Sequence, residues 1–201
     1  MVSIPYSLMH NFRIIYAIRA NIKTVFPFTP ITILNAGVSG DTAQGGLARI
    51  ERDVLRYQPD LTVVCFGLND SGQREAGLVD YECGLRDIFR KLKAADVETV
   101  FLTPNMKNTY VSPMIPFHVH KIAAADCADQ QNHGVMDAYM DLARKVCSEE
   151  GVLVCDVYHQ WKQLHDAGID ITILLSNYIN HPTRELHSLF ADSLFELIMF
   201  E

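Results

Sequence analysis

The chain has 201 residues, of which 49% are hydrophobic and 20% are charged, and its formal net charge is −7 at pH 7. This composition is typical of one globular domain with a sizeable core, and it excludes a disordered chain. Because it has neither a long cluster of lysines and arginines nor an apolar run of about 18 residues, we expect no nucleic-acid partner and no membrane span.

Apolar runs alternate with helical patterns along the chain. Large apolar residues recur every three to four positions over residues 11–25, which predicts a first helix. Further helices are predicted at residues 43–57, 80–95, 135–149, 158–167 and 183–200, and strands at 31–35, 61–66, 97–102 and 152–157. This order predicts an α/β domain in which a parallel sheet carries helices on both faces.

One long segment, residues 103–133, contains three prolines and no clear periodicity. We predict that it is irregular. A connection of that length in a compact domain is typical of a lid or a substrate wall, although an ordinary exposed insertion would look the same.

The five cysteines favour a reducing compartment. Their number is odd, and Cys65 and Cys155 lie in apolar, strand-like runs, as buried free thiols do. The N-terminus also lacks a basic region followed by an apolar one, so we expect a cytoplasmic protein. The histidines of residues 118–133 do not have the spacing of zinc ligands, and we expect no metal.

Three polar clusters are expected at one edge of the predicted sheet. Residues 35–42 (NAGVSGDT) and 67–70 (GLND) each follow a predicted strand, and residues 177–181 (NYINH) precede the last helix. Open parallel sheets bind ligands at the carboxyl ends of their strands. The clusters therefore predict a ligand site there.

The first two clusters and the sequence between them resemble the second and third signature blocks of the GDSL/SGNH esterases and lipases. Residues 180–195 (NHPTRELHSLFADSLF) resemble the fifth block, and the resemblance runs from about residue 11 to the C-terminus. It implies a flavodoxin-like three-layer α/β/α fold as a single domain, residues 1–201. It also implies ester hydrolysis through an acyl-enzyme, without a cofactor.

The resemblance assigns the Gly40 N–H and the Asn69 side chain to the oxyanion, and His181 to the catalytic base. These residue types suit the chemistry, because glycine permits close approach, asparagine offers an amide donor and a loop imidazole titrates near neutral pH. Asp70 would support the Asn69 turn. These residues could also have purely structural roles. Gly40 could allow a turn with positive φ, and Asn69 and Asp70 could cap the loop after the strand.

The GDS block, which carries the nucleophile in this family, is absent. Ser7 lies upstream of Gly40 at a separation that compact members tolerate, but no long apolar strand precedes it. Ser39 is a second serine near the site. Its context, GVSGD, does not match the GxSxG elbow, so we assign Ser39 to binding. We expect the nucleophile to lie upstream of this chain in a longer esterase, and Ser7 is the second choice for this catalytic role.

The family's first strand is internal, so its loss would leave unpaired strand edges in the core. Three explanations are open: the chain is a shortened form of a longer esterase, residues 2–8 form a stub of the strand, or a neighbouring chain fills the gap in a homo-oligomer. We favour the first.

The family usually has an aspartate three residues before the catalytic histidine, but here that position is Tyr178. Asn177 or a backbone carbonyl could instead hold the tautomer of His181, with less stabilisation of the imidazolium. Asp170 is a more distant candidate for the acid.

We therefore expect a serine ester hydrolase that deacylates a small ester or a carbohydrate ester. A non-catalytic domain that keeps the pocket without the nucleophile is the main alternative. A flavin-binding module on the same fold is a third possibility, which would require a phosphate-cradling loop.

Overall fold

The computed structural model describes residues 2–3 and 8–200, with side chains over residues 14–200. The helices are α1 (Leu8–Val25), α2 (Ala43–Asp53), α3 (Leu78–Ala94), α4 (His118–Asn132), α5 (Val135–Glu150), α6 (Val157–Asp166) and α7 (His187–Phe200). The strands are β1 (Val2–Ser3), β2 (Leu61–Val64), β3 (Glu98–Leu102) and β4 (Leu153–Cys155). Short 3₁₀ segments occupy Leu55–Tyr57, Asp70–Gly77 and Ile171–Leu174.

The four strands form one parallel sheet in the order β1-β2-β3-β4. In β3, Val100 pairs with Val63 on one side and with Leu153 on the other. The helices α2, α3 and α5 pack side by side, and α1 packs against α7, which also contacts α6. The result is the expected three-layer α/β/α arrangement, with a core of apolar strand residues between helices.

The predicted strand at residues 31–35 is wrong. Residues 31–34 are irregular, and Asn35 makes only an isolated bridge. A strand exists only where a neighbouring strand completes its ladder. The described strand β1 is only two residues long, and its partners are Val63 and Val64 of β2. Among the described residues, no strand pairs with residues 31–34 to complete such a ladder.

The prediction of an irregular segment at residues 103–133 is also wrong in its second half, which forms α4. The inner face of α4 is made of alanine and glutamine, with Ala124, Ala128 and Gln131 buried. Such small and polar residues produce no stripe of large apolar side chains, so the periodicity of the sequence did not reveal the helix.

Residues Val2–Ser3 form a stub of the first strand, parallel to β2. The stub predicted at residues 2–8 does not include Leu8, which begins α1. Ser7 lies outside the described residues. The hypothesis of a shortened chain stays a prediction.

All five cysteines are free. Cys65, Cys147 and Cys155 are buried, and burial raises the pKa of each to about 12. Within residues 2–3 and 8–200, no helix combines the length and the apolar character needed to cross a bilayer.

Asp156 connects the end of β4 to α6, and its removal should destabilise the fold. Its carboxylate accepts hydrogen bonds from the His159 N–H (3.1 Å), the Thr103 hydroxyl (3.1 Å) and the Arg144 guanidinium (2.8 Å). We expect Asp156→Ala to lower the free energy of unfolding at pH 7 by about 1–2 kcal/mol, measured by urea denaturation.

The pH dependence provides a second readout. Burial by itself raises the pKa of Asp156, but the bonds from Arg144 and His159 outweigh it and the pKa lies below its usual 3.8. The difference between wild type and Asp156→Ala should therefore persist above pH 3.8 and shrink as the pH falls through the folded-state pKa. Asp141→Ala is the matched control, because exposed Asp141 also bonds Arg144. An equal loss in that control would contradict the prediction.

Candidate active site

Gly40 lies in an exposed turn between the irregular segment 31–34 and α2. Its φ is +76°, and no atom lies within 4 Å of the position that a Cβ would occupy. The Asp41 N–H closes the turn on the Val38 carbonyl (3.4 Å), and the neighbouring Ser39 is exposed. Glycine is thus required by the backbone conformation, and the space beside it is open to a ligand.

Asn69 follows β2 and is joined to the Gly40 turn. Its side-chain amide donates a hydrogen bond to the Asp41 carbonyl (2.8 Å). The amide has two N–H groups, and within the described part of the chain only this bond is made. The second N–H of Asn69 therefore remains for another acceptor next to the turn.

Asp70 is a buried carboxylate, 5% exposed, that supports both of these segments. One oxygen accepts the Ala43 N–H at the start of α2 (2.8 Å), and the other accepts the Gly67 N–H at the end of β2 (2.9 Å). Burial raises the pKa of Asp70, although the backbone N–H groups oppose this shift. The Thr42 hydroxyl caps α2 at Gly45 (3.3 Å).

His181 lies in a compact loop closed by an antiparallel bridge between Leu175 and Pro182. The Asn177 side-chain oxygen accepts the backbone N–H groups of the three residues that end at His181, each at 3.0 Å. The Asn177 amide nitrogen donates to Asn180 (3.0 Å). Asn177 therefore shapes the backbone of the loop. Its role as a partner of the imidazole ring stays a prediction.

Asp170 has other partners. One carboxylate oxygen accepts the Thr172 N–H (3.0 Å), which caps a 3₁₀ segment, and the other accepts the Tyr110 hydroxyl (2.7 Å). These bonds give Asp170 a structural role at the edge of the site.

The connection between β3 and α4 joins the histidine loop to the Asn69 turn. Asn105 donates to the Asn180 carbonyl (3.0 Å), and the Asn108 N–H donates to the Ile179 carbonyl (2.8 Å). From the same connection, the Lys107 ammonium reaches the Ser71 hydroxyl (2.8 Å). Sequence reasoning missed these contacts, although the polar run TPNMKN after a strand was the available signal.

No group of three or more His, Cys, Asp or Glu side chains within residues 14–200 could hold a metal ion. A cavity of about 380 Å³ lies at the amino end of β2, between residues 31–34 and 57–61. This is the opposite edge of the sheet from Asn69, so the cavity is separate from the candidate site.

The three-layer α/β/α arrangement around a parallel sheet is the fold of the SGNH hydrolases. The chain belongs to the GDSL-like lipase/acylhydrolase family, whose sequence profile matches residues 20–189. Among solved structures, an acetyl xylan esterase, AlAXEase, superimposes with a TM-score of 0.76 at 16% identity, covering 98% of this chain and 99% of that one. An acetylxylan esterase from Geobacillus stearothermophilus gives a TM-score of 0.72 at 21% identity, covering 94% and 81%.

Two curated relatives align over shorter stretches. An acetylxylan esterase of Geobacillus stearothermophilus is 28% identical over 92 residues, which is 41% of this chain and 42% of the relative. A thioesterase 1/protease 1/lysophospholipase L1 of Escherichia coli K12 is 35% identical over 79 residues, 39% of this chain and 38% of the relative. The matched stretch thus spans less than half the length of these relatives.

Asp70→Asn should destabilise the protein despite its nearly unchanged shape. An asparagine oxygen can accept only one of the N–H groups of Ala43 and Gly67, and its NH₂ then faces the other. We expect the free energy of unfolding to fall by about 1–3 kcal/mol in chemical denaturation. Asp87→Asn at an exposed helix position is the control and should change it by less than about 0.5 kcal/mol. Equal stability of the two variants would show that the Asp70 bonds are dispensable.

Proposed function

We propose that the protein is a serine ester hydrolase that works through an acyl-enzyme. The observation that carries the proposal is the hydrogen bond from Asn69 to the Asp41 carbonyl. It brings the asparagine amide next to the exposed turn that contains Gly40, which supports the proposal that the Asn69 amide and the Gly40 N–H both donate to the carbonyl oxygen of a substrate. Such paired donors stabilise the oxyanion of acyl transfer.

In the proposed reaction, a serine oxygen attacks the ester carbonyl while His181 takes the serine proton. The negative charge that develops on the carbonyl oxygen is stabilised by the Gly40 N–H and the Asn69 amide. His181 then gives the proton to the departing alcohol, and the acyl group stays on the serine. Water, deprotonated by His181, attacks the acyl carbon. The bond from that carbon to the serine oxygen breaks, His181 returns the proton to the serine oxygen, and the carboxylic acid is released.

Ser7 is the proposed nucleophile. It falls in the connection between β1 and α1, outside the described residues. Because β1 runs parallel to β2, the carboxyl ends of both strands face the edge that holds Asn69. The strand-to-helix position of Ser7 in the chain supports the assignment, and we propose that exposed Ser39 contacts the substrate.

We propose a small acyl group on a carbohydrate as the substrate. The acetylxylan esterases among the relatives and the solved structures support this choice. Gly40 is exposed and no atom lies within 4 Å of the position of a Cβ, which supports the approach of a substrate from solvent at this turn. The relative named thioesterase and lysophospholipase instead favours a thioester or a lysophospholipid as the substrate. The preferred length of the acyl chain is therefore the property to measure.

The five free cysteines support a reducing compartment, and we propose that the enzyme acts in the cytoplasm. A non-catalytic binding domain is the second candidate. It is favoured by one observation on Asp170, the candidate for the acid that would orient His181. Both oxygens of this carboxylate accept hydrogen bonds from other groups, the Thr172 N–H and the Tyr110 hydroxyl.

Fluorophosphonate labelling tests for the nucleophile. We expect one adduct on Ser7, located by peptide mass spectrometry, and its loss in Ser7→Ala and His181→Ala, because the serine needs its base. Ser39→Ala is the matched control and should still be labelled. A folded protein without any adduct would favour the binding domain, and an adduct on Ser39 would reassign the nucleophile.

Acyl-chain selectivity tests the substrate class. We expect kcat/KM for p-nitrophenyl acetate to exceed that for p-nitrophenyl octanoate by about tenfold or more, since a site for a small acyl group has no room for added methylenes. Release of acetate from acetylated xylooligosaccharides should occur under the same conditions. A preference for octanoate would contradict the carbohydrate-ester proposal while leaving the hydrolase itself intact.

A further inference from the structure

Lys107 is a lysine inside the protein, with only 2% of its surface exposed. Its ammonium donates to the Ser71 hydroxyl (2.8 Å) and to the Gln130 side-chain oxygen, and its backbone N–H donates to Gln131 (2.8 Å). Burial lowers the pKa of Lys107. Lysine is almost never fully buried unless it is paired, so these contacts call for an explanation.

Ser71 belongs to the tight turn that contains Asn69. Its hydroxyl donates to the Leu68 carbonyl (3.0 Å), and its N–H donates to the Gly67 carbonyl (2.9 Å). The Asn69 carbonyl in turn accepts the Gly72 N–H (3.0 Å). Ser71 is thus bonded both within the turn and to Lys107. The lysine therefore connects the turn to a segment that is distant in the chain.

The far end of this contact is anchored in α4. The Gln131 amide donates to the buried Tyr158 hydroxyl of α6 (2.8 Å), and the Gln130 amide donates to Asp126 (2.7 Å). Asp126 also pairs with Arg74 (2.6 Å), which follows the Asn69 turn. Lys107 therefore lies between α4 and the turn and is hydrogen-bonded to both.

The segment that carries Lys107 also holds the histidine loop, through Asn105 to Asn180 and through the Asn108 N–H to Ile179. The short segment 105–108 is thus bonded to both parts of the site, the histidine loop and the Asn69 turn. Within this segment, the side chain of Lys107 makes the contact with the Asn69 turn.

We propose that Lys107 is a positioning residue that sets the place of the Asn69 amide relative to His181 through Ser71. This inference rests on the ester hydrolase function proposed above. Lys107 touches no reacting group, and its effect passes through the Asn69 turn. A displacement of about 1 Å in such a donor is enough to cost on the order of a hundredfold in rate.

A double-mutant cycle tests the proposal. Lys107→Met keeps the length of the side chain and removes its donors, and we expect kcat for p-nitrophenyl acetate to fall about tenfold to a hundredfold with little change in KM. In the Asn69→Ala background, the same change should cost less than about threefold, because the donor that it positions is gone. A lysine with a merely structural role would cost the same factor in both backgrounds, and that result would overturn the proposal.

Two further variants keep the test interpretable. Lys91→Met removes an exposed lysine that pairs with Glu51, and it should leave kcat and the melting temperature unchanged. Ser71→Ala removes the hydroxyl that links Lys107 to the turn, and it should reproduce the loss in kcat if Lys107→Met fails to fold. Normal kcat in Ser71→Ala would overturn the proposal.

Hydrogen exchange separates failure of this inference from failure of the proposed function. If the wild-type chain shows no turnover, the hydrolase proposal fails, but the positioning role is still measurable. The amides of residues 67–72 should then exchange about tenfold faster in Lys107→Met than in wild type, while those of β3 do not change. Unchanged exchange in the turn would overturn the role of Lys107.

Discussion

The site depends on a single buried carboxylate that satisfies two backbone donors from different elements. Asp70 accepts the N–H of Ala43 and the N–H of Gly67, so the start of α2 and the end of β2 meet at one side chain. A buried N–H without a partner is costly, and no neutral side chain of the same shape can accept both. Since the Gly40 turn precedes α2 and Asn69 precedes Asp70 in the chain, this carboxylate connects the two segments that carry the proposed oxyanion donors.

The rest of the site is assembled by hydrogen bonds to backbone atoms. Asn69 reaches the Asp41 carbonyl, Asn177 gathers the N–H groups of the histidine loop, and Asn105 reaches the Asn180 carbonyl. Side-chain amides suit this task because one group carries both a hydrogen-bond donor, the NH₂, and an acceptor, the carbonyl oxygen. Loops that are bonded in this way keep their shape without forming secondary structure, and a functional group on such a loop is correspondingly well oriented.

The chain departs from the family pattern where the first strand and the acid are expected. The described part of the first strand is Val2–Ser3, and residues 31–34, which would lie beside it in the sheet, are irregular. Asp170, the candidate for the acid, is bonded to Thr172 and Tyr110. The core of β2, β3 and β4 with its helices is nevertheless complete, because these strands pair with one another along their length.

The sequence by itself determined the helices with strong apolar stripes and the strands β2, β3 and β4, because burial on one or both faces imposes a readable pattern on the residues. Its signature blocks also identified Gly40, Asn69 and His181 as candidates, since the turns that carry them need particular residues. Only the tertiary structure decided that residues 31–34 form no strand, that α4 exists on a face of alanine and glutamine, and that Lys107 reaches Ser71. These outcomes depend on which partner stands opposite a segment, and a partner distant in the chain leaves no periodic trace in the local sequence.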